Sequence, residues 1–190
     1  SGLYRYPVKS LGGGAFSSLE VGARGPELDR HWMVVDADGR FITQRQQPRM
    51  CLIQTRIDHD QALWLAASGM PEIRVGGPLA EPAADRWLSE FLGLPCRLVS
   101  LPDDVARPVD PDYADPPDQV GFADGFPFLL ISQASLDDLN SRLETPLPVK
   151  ELLRQTDLER KAALIGAVIS GRAADLGGNV LDELERLLAE

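Results

Sequence analysis

Short runs of alternating apolar and polar residues, punctuated by glycine, proline and aspartate, fill the first hundred positions. Leu3 to Ser10 predicts an edge strand broken at Pro7, which has no N–H to give a ladder. Phe16 to Val21 predicts a second strand. Trp32 and Val34, then Phe41 and Ile42, flank Asp36-Ala37-Asp38-Gly39. That acidic, glycine-containing turn between β-rich runs predicts a hairpin. Short strands are expected next at Cys51 to Ile57, Ala62 to Ala66 and Glu72 to Val75, a spacing that argues for a barrel or sandwich.

The period then changes. Glu81 to Leu92 places Ala84, Trp87, Leu88 and Phe91 on one helical face, with Gly93 as the stop. Cys96 to Leu101 predicts a further strand, and Pro102 to Gln119, with five prolines and six aspartates, an irregular loop. Those aspartates lack the spacing of a calcium loop. Phe126 to Ile131 reads as a buried strand, followed by a helix from Leu136 to Leu143 capped by Ser135, with Asp138 at the capping-box position. Beyond Lys150, Leu158, Ala162, Ile165 and Ile169 form one helical stripe after a capping box at Thr156-Asp157-Leu158-Glu159. Val180, Leu184, Leu187 and Leu188 form a second. Isolated helices of this length are marginal in water, so the stripes are expected to bury against other elements or a second copy of the chain.

Composition adds boundaries. The 190 residues are 44% hydrophobic and 25% charged, enough for one or two domains with a real core. No apolar run approaches the ~20 residues that span a bilayer. The net charge of −10 argues against nucleic acid and anionic membranes as partners. Residues 1–56 nevertheless carry eight Lys or Arg against five Asp or Glu, so the place expected for an anionic ligand is this first segment. Cys51 and Cys96 read as buried thiols, which fits a reducing cytoplasm.

Candidate chemistry concentrates in that segment. Arg30, Arg45 and Arg49 lie at the two open ends of the hairpin, where guanidinium groups suit a bidentate anion such as phosphate. Equally open is pairing with Asp29 and with solvent. Lys9 and Ser10 precede Leu11-Gly12-Gly13-Gly14. They read either as a phosphate-binding charge and hydroxyl beside a permissive backbone, or as a turn into the next strand. Asp58-His59-Asp60 has the spacing of a hairpin tip, and neither a metal site nor a complete small enzyme is built on it. With His31 and His59 the only histidines, no Ser-His-Asp or Cys-His arrangement is proposed.

Arg-Tyr-Pro-Val-Lys-Ser at 5–10, Asp-Arg-His-Trp-Met-Val at 29–34, Phe-Ile-Thr-Gln-Arg-Gln at 41–46 and Asp-Gly-Phe-Pro-Phe-Leu-Leu-Ile-Ser-Gln-Ala-Ser-Leu-Asp-Asp-Leu-Asn at 124–140 together resemble the N-terminal β-barrel domain of MOSC-domain proteins. That family includes bacterial molybdenum-cofactor reductases and the mitochondrial amidoxime-reducing component. The resemblance implies an α+β fold: a MOSC N-terminal-like β-barrel with short helices over 1–149 and a helical extension over 150–190. It implies molybdenum cofactor (molybdopterin) as the ligand, with Lys9, Ser10 and Arg30 matching the family's cofactor contacts, and Asp124 and Phe126 matching a segment on the metal side. Family association extends to molybdenum-ion and pyridoxal phosphate binding. Expected activities are reduction of N-hydroxylated compounds or sulfur transfer.

After that point the family's second domain and its metal-ligating cysteine have no counterpart in residues 151–190. A soft thiolate is what molybdenum needs, so the chain alone is expected to be inactive, with a MOSC domain or redox protein as partner. The alternative is a non-catalytic assembly module whose terminal helices pair two copies. Sedimentation of the full chain beside a version ending at Lys150 discriminates them.

Overall fold

The computed structural model describes residues 2–76, 81–112, 117–143 and 146. The chain divides into two compact units, Ser1–Leu129 and Leu130–Glu190. The expected helical extension over 150–190, its stripes and the boundary at 149/150 all lie outside the described residues.

Among the described residues the first unit is built on nine short strands and one α-helix: β1 (Leu3–Arg5), β2 (Gly14–Phe16), β3 (Val21–Gly22), β4 (Gly25–Pro26), β5 (Trp32–Asp36), β6 (Gln54–Ile57), β7 (Leu63–Ala66), β8 (Ile73–Val75), α1 (Glu81–Leu92) and β9 (Cys96–Ser100). Their ladders are antiparallel: β1 with β2, β3 with β4, β5 with β9, and β6-β7-β8 in one sheet. Among the described residues these four sheets do not close into the barrel that the resemblance implies. Strands of two to five residues are too short to carry a continuous ring of hydrogen bonds.

The predicted hairpin forms and then acquires a longer partner. Val35 bridges Phe41, and the Ile42 amide donates to the Val34 carbonyl at 2.8 Å. The Asp36 carboxylate caps the turn by accepting from the amides of Asp38 and Arg40, each at 2.9 Å. The five-residue pairing of β5 is with β9, from Trp32 opposite Ser100 to Asp36 opposite Cys96. That contact spans the chain around α1, and no local pattern announces it.

One core joins these pieces. Val8, Leu11, Val34, Met50, Ile53, Leu63, Leu65 and Leu98 are buried with Ala84, Trp87, Leu88 and Phe91, the predicted face of α1. The Trp87 indole N–H donates to the Pro71 carbonyl at 2.6 Å, so the largest core side chain also satisfies its polar atom. Leu52 is exposed and Cys51 half-buried, because Pro48–Leu52 is a 3₁₀ turn and the expected strand starts only at Gln54. Cys96 is buried, and no disulfide joins the two cysteines.

Two expectations near the C-terminal side of the described chain are corrected. Phe126 to Ile131 forms no strand, and Phe126, Phe128, Leu129 and Leu130 are at least half exposed. Pro127 has no N–H for a ladder and its ring rests on Gly25, so ring packing replaces strand pairing there. In the second unit, α2 runs from Gln133 to Asn140 and is capped by Ser132, three residues before the predicted cap. Ser132 has extended backbone and its hydroxyl accepts from the Ser135 amide at 3.0 Å, which puts Ser135 inside the first turn. No helix among the described residues is long and apolar enough to cross a membrane.

Candidate functional site

Lys9 and Ser10 occupy a tight turn between Val8, whose backbone bridges Trp32, and Leu11, whose amide returns to the Val8 carbonyl. The turn is held from three sides. The Lys9 amide donates to the Trp32 carbonyl at 2.8 Å. The buried Gln44 side-chain amide donates to the Ser10 carbonyl. The Thr55 hydroxyl donates to the Gly12 carbonyl at 2.6 Å. The stretch is therefore a turn tied down by hydrogen bonds on its way into the next strand. The glycines serve the chain's own packing: a Cβ on Gly13 would run into the Arg5 carbonyl. Ser10 itself has φ 66°, a conformation that costs an L-residue about 1–2 kcal/mol and places its side chain off the regular strand direction.

Arg30 lies just before β5 and also has a left-handed backbone, φ 45°. Its amide donates to the Tyr6 carbonyl at 2.7 Å. Its guanidinium pairs with Asp29, whose carboxylate is buried and also accepts from the Tyr6 amide at 2.8 Å. Burial pushes the Asp29 carboxyl above its ordinary range, against the opposing pull of Arg30 and the Tyr6 N–H. Arg30 thus stitches the wall of the site to the first strand.

Far along the chain, residues 121–124 cross this turn as a strap. The Phe122 amide donates to the Arg30 carbonyl at 2.7 Å, and the Phe122 carbonyl accepts from the Lys9 ammonium at 3.0 Å. Arg107 donates to the carbonyls of Gly121 and Ala123. Gly121 is required by the close approach: a Cβ there would meet the Asp29 carbonyl oxygen at 2.7 Å and that of Arg30 at 2.9 Å. The strap ends at Asp124, whose carboxylate pairs with Lys9, and the ammonium also sits 5.5 Å from the Phe41 ring centroid.

The structure therefore brings Lys9 and Arg30 onto one strap, with Ser10 in the Lys9 turn and Asp124 joining from a distance of 115 positions. Phe126 lies beyond the strap, half exposed, with none of these hydrogen bonds. The remaining arginines of the expected rim are engaged differently: Arg49 stacks over Phe91 at 4.6 Å on the α1 side, and Arg45 is exposed. Both cations of the site already face a carboxylate, Lys9 facing Asp124 and Arg30 facing Asp29. Sequence reasoning missed the structural partners Gln44, Arg107 and Gly121. The only local signal for them is polar or glycine character, which does not encode contacts made 14 to 92 positions away.

Asp58, His59 and Asp60 lie close enough to hold an ion, but Asp58 is committed elsewhere. Its oxygens accept from the Asp60 and Ala62 amides, the Trp64 indole and Arg74. The Trp64 N–H, with Arg74 and the two amides adding to it, holds this carboxyl well below the usual range. It is a hairpin clasp. A cleft of about 550 Å³ lined by His31, Trp32, Gln61, Arg74 and Ser100 includes none of Lys9, Ser10, Arg30 or Asp124.

Short antiparallel sheets around one core, with a strapped basic turn at their margin, define a mixed-strand domain with few helices. Residues 1–86 match the MOSC N-terminal beta barrel domain, so the chain carries that family's N-terminal domain. It is 36% identical over 170 residues to mitochondrial amidoxime-reducing component 1 of Homo sapiens, covering 75% of this chain and 50% of that protein. It is 32% identical over 174 residues to molybdenum cofactor sulfurase of Homo sapiens, covering 75% of this chain and 19% of the relative. The chain thus spans about half the length of the first of these relatives and about a fifth of the second.

Proposed function

We propose that the first unit holds the terminal phosphate of molybdenum cofactor at the Lys9-Ser10 turn, and that the chain contributes this contact to the reduction of N-hydroxylated compounds or to sulfur transfer. The observation that carries the reading is the meeting of the Lys9 ammonium and the Arg30 backbone carbonyl with residues 121–124, with Ser10 in a left-handed turn next to Lys9. At the phosphate end the donor types suit an oxyanion, but each cation already faces a carboxylate that the anion has to displace or neutralise. A buried ammonium stem and a hydroxyl on adjacent positions of a rigid turn suit a compact oxyanion. Arg30, already paired with Asp29, supports the wall and contributes its charge. The relatives' names point the same way, one to amidoxime reduction and the other to molybdenum-cofactor chemistry.

At the metal end the fit is poor. Cys96 is buried in β9 with its thiol pushed up by burial, and Cys51 is half-buried in the 3₁₀ turn Pro48–Leu52. Molybdenum chemistry consists of oxygen-atom or sulfur exchange with electron transfer at a thiolate-held metal, and that ligand is expected from a MOSC domain. Titration with inorganic phosphate tests the reading: binding is expected in the wild type and lost in Lys9→Met, and binding indifferent to Lys9 overturns it. The isolated chain, supplied with cofactor, is expected not to turn over an amidoxime. Clear turnover would overturn the need for a partner domain.

A further inference from the structure

The Lys9 ion pair joins a mostly buried cation to a half-exposed anion. The Lys9 side chain is 13% exposed, whereas that of Asp124 is 49% exposed. The two ends are held very differently. Lys9 is fixed through its turn, its bond to the Phe122 carbonyl and the Phe41 ring. The strap beneath Asp124 is fixed through backbone groups: the Phe122 amide on Arg30, and the Gly121 and Ala123 carbonyls on Arg107. Its anchorage does not need the Asp124 carboxylate, which makes no other hydrogen bond among those described.

We infer that Asp124 is a displaceable internal counter-ion, which occupies Lys9 until an oxyanion takes its place and thereby sets the affinity and charge threshold of the site. This rests on the anion-binding reading above and deepens it. Lys9 is mostly withdrawn from water, so it gains from a permanent partner; Asp124 can turn into solvent with little loss. A neutral or weakly charged ligand cannot compete with a carboxylate already in contact. A phosphate group carries more charge and more acceptor oxygens than a carboxylate, so it can displace Asp124 while the backbone of the strap stays in place. The displaced carboxylate remains nearby and repels the bound anion, so the same residue weakens retention as well as capture.

The test is phosphate titration of the full chain, followed by the amide resonances of Ser10 and Phe122, in four proteins. Asp124→Asn removes the competing charge, Lys9→Met removes the cation, and Asp112→Asn removes one unit of charge from an exposed loop position as a control. Asp124→Asn is expected to bind inorganic phosphate about fivefold or more tightly than the wild type, with Asp112→Asn unchanged and Lys9→Met without binding. If Lys9→Met abolishes binding but Asp124→Asn binds no tighter than the wild type, the counter-ion is overturned while the anion site stands. An equal gain in Asp112→Asn assigns the effect to net charge and also overturns it. If Lys9→Met binds as well as the wild type, both ideas fall together. Thermal melts of each variant separate loss of binding from loss of folding: a folded Lys9→Met with wild-type affinity is the decisive negative.

Discussion

The Lys9 ammonium donates to the Phe122 carbonyl at 3.0 Å, closing 113 residues of chain with one hydrogen bond. Because the Phe122 amide also binds the Arg30 carbonyl, a single residue of the strap couples the Lys9 turn to the start of β5. Rigidity at this point is what allows the adjacent side chains of Lys9 and Ser10 to be presented in a defined geometry, and it can be tested one contact at a time.

Ser10→Gly separates stability from binding. Glycine relieves the left-handed strain at φ 66° but gains freedom in the unfolded chain, so stability is expected to rise by ~0.5 kcal/mol or stay level. Loss of the hydroxyl is expected to weaken phosphate binding. Urea denaturation read beside a phosphate titration checks both, and a strongly destabilised variant would mean that the serine hydroxyl holds the fold.

Gly121→Ala is expected to cost about 2 kcal/mol, because the new Cβ meets backbone oxygens of Asp29 and Arg30 that cannot swing aside. The strap must lift, so phosphate affinity is expected to fall with it. Chemical denaturation and hydrogen exchange at Phe122 measure the two effects. Wild-type exchange protection in the variant would contradict the close contact.

Asp29→Ala removes the acceptor of the Tyr6 amide and the partner of Arg30 together, and is expected to cost about 3 kcal/mol. Asp29→Asn keeps an acceptor for Tyr6 and is expected to cost only about 1 kcal/mol. The sign of the pH effect follows from burial, which raises the folded carboxyl above its unfolded value. Its stabilising contribution is therefore greatest below the unfolded value near 4 and declines as pH rises through the folded value. Subtracting the Asn variant's stability–pH curve from that of the wild type isolates this term; a difference growing with pH would refute the assignment.

Asp58 acts in the opposite sense. Its carboxyl is depressed by the Trp64 indole, Arg74 and two amides, so its contribution is present above the unfolded value near 4 and is lost as pH falls through a much lower one. Asp58→Asn is expected to lower the melting temperature at pH 7 and to flatten its fall on acidification. A variant whose melting curve keeps the wild-type acid limb would exclude the clasp.

Much of this was written in local pattern. The stripe of Ala84, Trp87, Leu88 and Phe91 determined α1 and its buried face, because a 3.6-residue period leaves one solution for a helix against a core. Asp36 to Gly39 determined the hairpin turn, since an aspartate that caps its own backbone needs no distant partner. The cationic character of residues 1–56 and the identity of Lys9, Ser10 and Arg30 as candidates were also legible from the chain. Only the tertiary structure decided that β5 pairs with β9, that Phe126 to Ile131 forms no strand, and that the arginines of the hairpin rim part company. Each depends on contacts between distant segments, whose geometry no local period encodes. The same holds for the carboxylate facing Lys9. The pairing of Arg30 with its neighbour Asp29 was open to the sequence, but that Lys9 meets Asp124 is settled by the close approach of residues 121–124 to a turn more than a hundred positions away.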